Sequence, residues 1–263
     1  MRIRIIALAL VLLALPSFAA IQYDFIQKNT TDDPVAPNND LTGRATIDGL
    51  RLRVDFIGGT IYPPGTYVIS NDGSQRLFFV DPTKKWYTEF NAAGVATAIG
   101  ASTIRIANLK PSLVKHEDHP VMLGIETEHS TLKLSYDITW PRKGMSISSH
   151  VETEIESWMT TKYGESLESS ALSIARTGNA EIDQLIQEET SRLRGFALRQ
   201  TVTTRSTFNL PNLKSELKVA PTKTITRETW VTAVREISPS ATLFSVPAGY
   251  RRADTPELPE ATE

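Results

Sequence analysis

Cysteine does not occur anywhere in the 263 residues. That absence excludes disulfides, thiolate nucleophiles, cysteine-held metals and a lipid-modified N-terminal cysteine, so whatever fold forms is held by packing. Beyond the extreme N-terminus the chain also lacks any apolar run long enough to cross a bilayer as a helix. It has no G-x-S-x-G elbow, no phosphate-cradling glycine loop and no H-E-x-x-H. Excess positive charge is missing too: 28 Lys and Arg stand against 30 Asp and Glu, a formal net charge of −2. A mildly acidic chain argues against nucleic acid or an anionic bilayer as the main partner. With only four histidines and no catalytic constellation around them, the sequence assigns no enzyme activity and no cofactor.

What is present begins with an export signal. Arg2 and Arg4 precede an apolar run from Ile5 to Leu15, and Pro16-Ser-Phe-Ala19 follows with small residues at Ser17 and Ala19. The pattern predicts cleavage after Ala19, because the run is about half of the roughly 20 residues a membrane anchor needs. The expected product is a periplasmic or secreted protein, not integral to the membrane, with one β-rich domain over residues 20–250. Arg251 to Glu263 is rich in Pro and Glu and is predicted to be a disordered tail.

The stretch from Arg44 to Phe90 sets the architecture. Leu50, Leu52, Val54 and Phe56 alternate with Arg51, Arg53 and Asp55, which puts apolar groups on one face of a strand and charges on the other. Asp48-Gly49 and Asp72-Gly73 supply turn residues that accept positive φ, and Tyr62-Pro-Pro-Gly65 breaks the run. Connections this short join antiparallel neighbours. An antiparallel sheet with one apolar face must cover that face or curl around it.

Ile21, Tyr23 and Phe25 read as a first strand before the polar loop Asn29 to Asp40. Thr103 to Leu109 reads as a further strand. Leu132, Leu134, Tyr136, Ile138 and Trp140 alternate with polar residues, and the rhythm resumes from Met145 to Met159 after Pro141-Arg-Lys-Gly144. Val151, Ile155, Trp158 and Met159 also fit a helix capped by Ser149 and Glu152, but the β-branched content favours a long hairpin. Glu165 to Arg176 and Ala180 to Arg194 are helix candidates. The second has Asn179 as cap, acids first, Arg192 and Arg194 last, then Gly195. Phe196 to Phe208 and Thr222 to Ile237 return to strand, Ser238 to Thr242 is a turn, and Leu243 to Tyr250 is a last apolar segment.

Polar chemistry is sparse. Lys115-His-Glu-Asp-His-Pro120 places His116 three residues from His119, with Glu126, Glu128 and His129 close behind. Imidazoles and carboxylates suit zinc, yet H-x-x-H on a loop has no fixed geometry, and a hydrated loop is the expectation. Arg51, Arg53, Lys84 and Lys85 read as solvated residues rather than an anion site. Trp86, Trp140, Trp158 and Trp230 all fall in strand-like segments and are expected to pack.

Three clusters carry a resemblance: Gly49, Arg51 and Arg53; Asp81, Pro82, Lys85 and Tyr87; and Phe244, Val246, Pro247, Gly249 and Tyr250. Together the chain is similar to an uncharacterised family of exported bacterial proteins, which in turn resembles the lipoprotein-carrier fold of the LolA and LolB type. The resemblance implies an α+β fold, a strongly curved antiparallel sheet forming an open half-barrel, with a helical hairpin over its concave face. It brings no catalytic residue. The function expected is binding or carriage of a hydrophobic ligand, a lipid or lipoprotein acyl chain. Leu52, Val54, Phe56, Ile69 and Phe79 would line the groove from the sheet, and Ile182, Leu185 and Ile186 from the helices. The alternative is an envelope module with a filled core that docks a protein partner.

Overall fold

The fold is given by a computed structural model, which describes residues 20–32, 39–91, 104–142, 145–163, 184, 188, 192–209 and 222–253. Its strands are β1 (Ala20–Thr31), β2 (Leu41–Asp48), β3 (Arg51–Gly59), β4 (Tyr67–Ser70), β5 (Arg76–Asp81), β6 (Trp86–Asn91) and β7 (Arg105–Lys115). There follow β8 (Val121–Met122), β9 (Ile125–Glu126), β10 (Glu128–Arg142), β11 (Met145–Thr160), β12 (Phe196–Asn209), β13 (Thr222–Ile237) and β14 (Arg251–Arg252). All but β8 and β9 join one twelve-stranded sheet.

β1 is its pivot. One edge of β1 pairs with β2, and the meander steps outward through β3, β4 and β5 to β6, as the alternation and short turns of Arg44 to Phe90 require. The other edge pairs with β13, from which β12, β11, β10 and β7 follow. Every pair is antiparallel except β14 on β6. Register shifts beside Asp24, Thr42, Ser135 and Trp158 mark bulges, which bend strands and increase twist. Asn108, opposite the shift at Ser135, takes φ 56, a conformation asparagine tolerates better than most.

Directly paired residues share a face, so the register sorts the side chains. The inner face carries Ile21, Tyr23, Phe25, Ala45, Leu52, Val54, Phe56 and Phe79, which pack with Phe196, Leu198 and Val231 into the main core. The outer face is polar along β10 to β13. Near β4 and β5 it holds a second, small core of Tyr67, Ile69 and Val80 under Val246 and Tyr250.

The expected α+β class is overturned. Strands make up 69% of the described residues, among which no helix reaches seven residues, so the described part is almost entirely sheet and holds no helical hairpin. Of the candidate Ala180 to Arg194, Gln184 and Glu188 have helical backbone, joined by a hydrogen bond from Gln184 Nε2 to Glu188 Oε1 at 2.7 Å. The inner face obtains its cover from short pieces instead. Ile61 and Tyr62 from the β3–β4 connection, Met122 and Ile125 from the β8–β9 hairpin, and Tyr163 after β11 all pack on the main core. The segment Met145 to Met159 is strand, not helix. β7 continues through Pro111 to Lys115, which an edge strand permits because one side needs no donors. The expected disordered tail is ordered at its start: Arg251 and Arg252 pair with β6, and Ala253 N–H donates to Tyr87 O at 2.8 Å.

Candidate functional site

The inner face has three zones. The first is the packed core, where Leu52, Val54, Phe56 and Phe79 lie together, each at most 6% exposed. Phe56 stacks on Tyr62 at 4.1 Å between ring centroids, and Tyr23 meets Phe196 edge-on at 4.9 Å. Burial pushes the phenols of Tyr23 and Tyr62 above their ordinary range, so both stay neutral. Ile69 is not part of this zone. It pairs with Arg53, while its neighbour Val68 pairs with Val54, so Ile69 points to the outer face. Ile182, Leu185 and Ile186 lie outside the described residues.

The second zone is a polar seam. Gln27, Thr229, Gln200, Ser157 and Ser130 are opposite one another in turn across β1, β13, β12, β11 and β10. Gln27, Ser157 and Ser130 are buried, and Gln200 Nε2 donates to Ser157 Oγ at 3.2 Å. A buried polar row across an apolar face costs stability unless its groups find partners.

Beyond the seam the face turns apolar again. Leu113, Leu132, Ile155 and Val202 form one row across β7, β10, β11 and β12, and Leu134, Tyr136 and Val151 extend it. Leu132 and Val151 are buried, whereas Leu113, Leu134, Tyr136, Ile155 and Val202 are half-buried.

The outer face carries the ionisable chemistry. The β8–β9 hairpin returns the chain so that His116 N–H donates to His129 O at 3.0 Å. The two imidazoles then stack at 4.0 Å, and the His129 ring stacks in turn on Trp158 at 4.7 Å, nearly parallel at 9°. Arg199 lies over the other face of Trp158 at 4.6 Å. His129 Nδ1 is 2.9 Å from Asp118 Oδ1, and its Nε2 is 2.9 Å from Glu156 Oε1. The hydrogen bond from His129 holds the Asp118 carboxyl below its usual range. His116, Asp118 and His129 each bring one donor atom within 4.8 Å of the others. The spacing that the sequence offered, His116 with His119, is not the one the fold assembles; Asp118 takes the place of His119.

The resemblance motifs prove structural. Arg53 forks onto Asp55 at 2.6 Å, lies over Tyr67 at 3.8 Å and donates to Leu243 O at 3.1 Å. Asn71 Nδ2 donates to Phe244 O at 2.9 Å, and Arg51 sits over the buried Phe244 ring while also pairing with Asp48. Asp81 accepts from the N–H groups of Thr83 and Lys84, closing the turn into β6. Thus the closing segment is clasped to β3 and β6, and the arginines of β3 are engaged there rather than available to an anion.

No family model matches the chain, and no curated protein matches it significantly. Among solved structures it is similar to a LolA superfamily protein from Nitrosomonas europaea. That likeness covers 88% of this chain and 91% of the other, at 7% identity and a TM-score of 0.31. Values that low carry no argument about activity, so the functional reading rests on the sheet itself. No helix among the described residues is long and apolar enough to cross a membrane.

Sequence reading missed both the seam and the far apolar field as units. Each is a row of residues from four or five strands, and only register across strands of 11 to 16 residues reveals it.

Proposed function

We propose that the protein, exported from the cytoplasm, is a non-enzymatic binder of an amphiphile, a lipid or the acyl chain of a lipoprotein. The apolar chain lies on the far field of the inner face and the polar end meets the seam. One observation supports this above the others: half-buried apolar residues from four strands run in register up to a row of hydroxyls and amides of which Gln27, Ser157 and Ser130 are buried. A pocket for an amphiphile needs that pairing of a broad apolar wall with a few placed polar groups. Burying a chain of about a dozen methylenes would contribute on the order of 10 kcal/mol at about 0.8 per CH₂, so no charged anchor is required. In this reading Leu113, Leu134, Tyr136, Ile155 and Val202 face the ligand. Leu52, Val54, Phe56 and Phe79 form the packed support behind the seam, and Ile69 takes no part.

The test is native mass spectrometry of the full chain expressed with its export signal in a bacterial host, under mild desolvation. A retained adduct of lipid mass is expected. Ile155→Glu and Leu134→Glu should each abolish it while leaving the far-ultraviolet circular dichroism unchanged. A clean apoprotein mass, together with no uptake of a fluorescent fatty-acyl probe, would overturn the proposal. Because the first zone is already filled by Tyr62 and its neighbours, that outcome would favour an envelope module that docks a protein partner.

A further inference from the structure

The outer-face histidine cluster has features that a stack of rings alone does not call for. We propose that His116, Asp118 and His129 form a site for one divalent transition ion of the zinc class, with Glu156 behind it as the carboxylate that orients His129. The donor set is two imidazoles and a carboxylate, the combination that suits zinc and its neighbours rather than calcium or magnesium. Their donor atoms lie within 4.8 Å of one another. Tetrahedral ligands about 2.0–2.1 Å from zinc stand about 3.3 Å apart. His129 and Asp118, at 2.9 Å, are already that close. The ion therefore requires the widest pair to close by up to about 1.5 Å and the His116 ring to turn out of its stack on His129. Asp118 is the group that can move, being 59% exposed and on the connection after β7.

His129 is the fixed member. Its side chain is 12% exposed, gripped between His116 and Trp158. In the metal-bound form Nε2–H would donate to Glu156 Oε1, leaving the Nδ1 lone pair for the ion on the side where Asp118 lies 2.9 Å away. This is the carboxylate–histidine arrangement that fixes a ligand's tautomer and strengthens it as a donor. An ion held between them would replace the contact that joins Nδ1 to Asp118. Thr131 Oγ1, 2.9 Å from His116 Nε2, anchors the second ring. Three protein ligands leave a fourth position to water.

Zinc chloride is titrated into the chelator-treated full chain by calorimetry, with a chromophoric chelator as competitor and the thermal midpoint as an independent readout. One ion per chain and a rise in midpoint are expected, with no response to calcium. Asp118→Asn and His129→Asn should each weaken binding at least 100-fold. Glu156→Gln should weaken it about 10- to 100-fold, and His119→Ala should leave it unchanged. Asp118 is exposed, so its variant decides the matter even if His129→Asn fails to fold. The proposal is overturned by wild-type protein that does not compete with the chelator, or by binding that survives Asp118→Asn. Equal damage from His119→Ala and Asp118→Asn would also overturn it, by placing the ion on the loop spacing instead.

Discussion

Gly43 sits in register between two phenylalanines, Phe25 on β1 and Phe56 on β3, and the first of these covers it. A Cβ built at Gly43 would stand 2.6 Å and 2.9 Å from Phe25 ring carbons and 3.0 Å from Asp55 O. Ordinary contact would need the ring to withdraw by about 1 Å, but Phe25 is fully buried and already meets Tyr23. Overpacking of this kind costs about 1–3 kcal/mol, while replacing a strand glycine returns about 0.5–1 kcal/mol of chain entropy. Gly43→Ala should therefore lose about 1–2 kcal/mol. Gly58→Ala is the control, since its nearest neighbour is Thr42 Cβ at 3.9 Å; it should be neutral or slightly stabilising. Urea unfolding followed by tryptophan fluorescence reads the difference. At a slope near 3 kcal/mol/M the Gly43 variant should shift its midpoint down by roughly 0.5 M. In a Phe25→Leu background the same substitution should cost almost nothing. If Gly43→Ala proves as stable as Gly58→Ala, the packing of β1 on β2 has been misread.

Four further outcomes are expected. Phe244→Ala should cost about 3 kcal/mol, because the ring is 1% exposed beneath Arg51; limited proteolysis should then cut the C-terminal segment before the sheet. Arg53→Lys should lower stability by about 1–2 kcal/mol, since an ammonium cannot fork onto Asp55, reach Leu243 O and cover Tyr67 together. Arg76→Lys, on an exposed pair with Asp72, should leave the thermal midpoint unmoved. The hydrogen bond from Arg44 lowers the pKa of Asp24 in the fold. Its stabilising contribution is therefore present above the unfolded value near 3.9 and is lost as pH falls through the lower folded value. Asp24→Asn should flatten the fall in stability below about pH 4, measured as midpoint against pH.

Alternation made the strands legible where polar and apolar residues took turns, as from Arg51 to Phe56 and from Leu132 to Trp140. It failed at Tyr67-Val-Ile69, where every residue is apolar because both faces are covered, by the main core on one side and by Val246 and Tyr250 on the other. Parity cannot then say which way Ile69 points; only its pairing with Arg53 does. The cover of the inner face was equally hidden. Ile61-Tyr62 and Met122 to Ile125 are too short to display any period, so local pattern promoted a helical hairpin to a role that turns and a two-stranded hairpin fill. The histidine cluster needed Asp118 and Glu156, 11 and 27 residues from His129, and no local spacing announces that meeting.

Because the first strand is flanked by β2 and by the last long strand, its two edges are satisfied at very different times. The second edge waits for partners such as Arg235, 213 residues downstream of Gln22. Loop-closure entropy over such a span makes the joining step slow. Until it happens, a long hydrogen-bonding rim stands open to any neighbouring chain, so a helper that shields nascent β1 should raise the folding yield more than any gain in final stability.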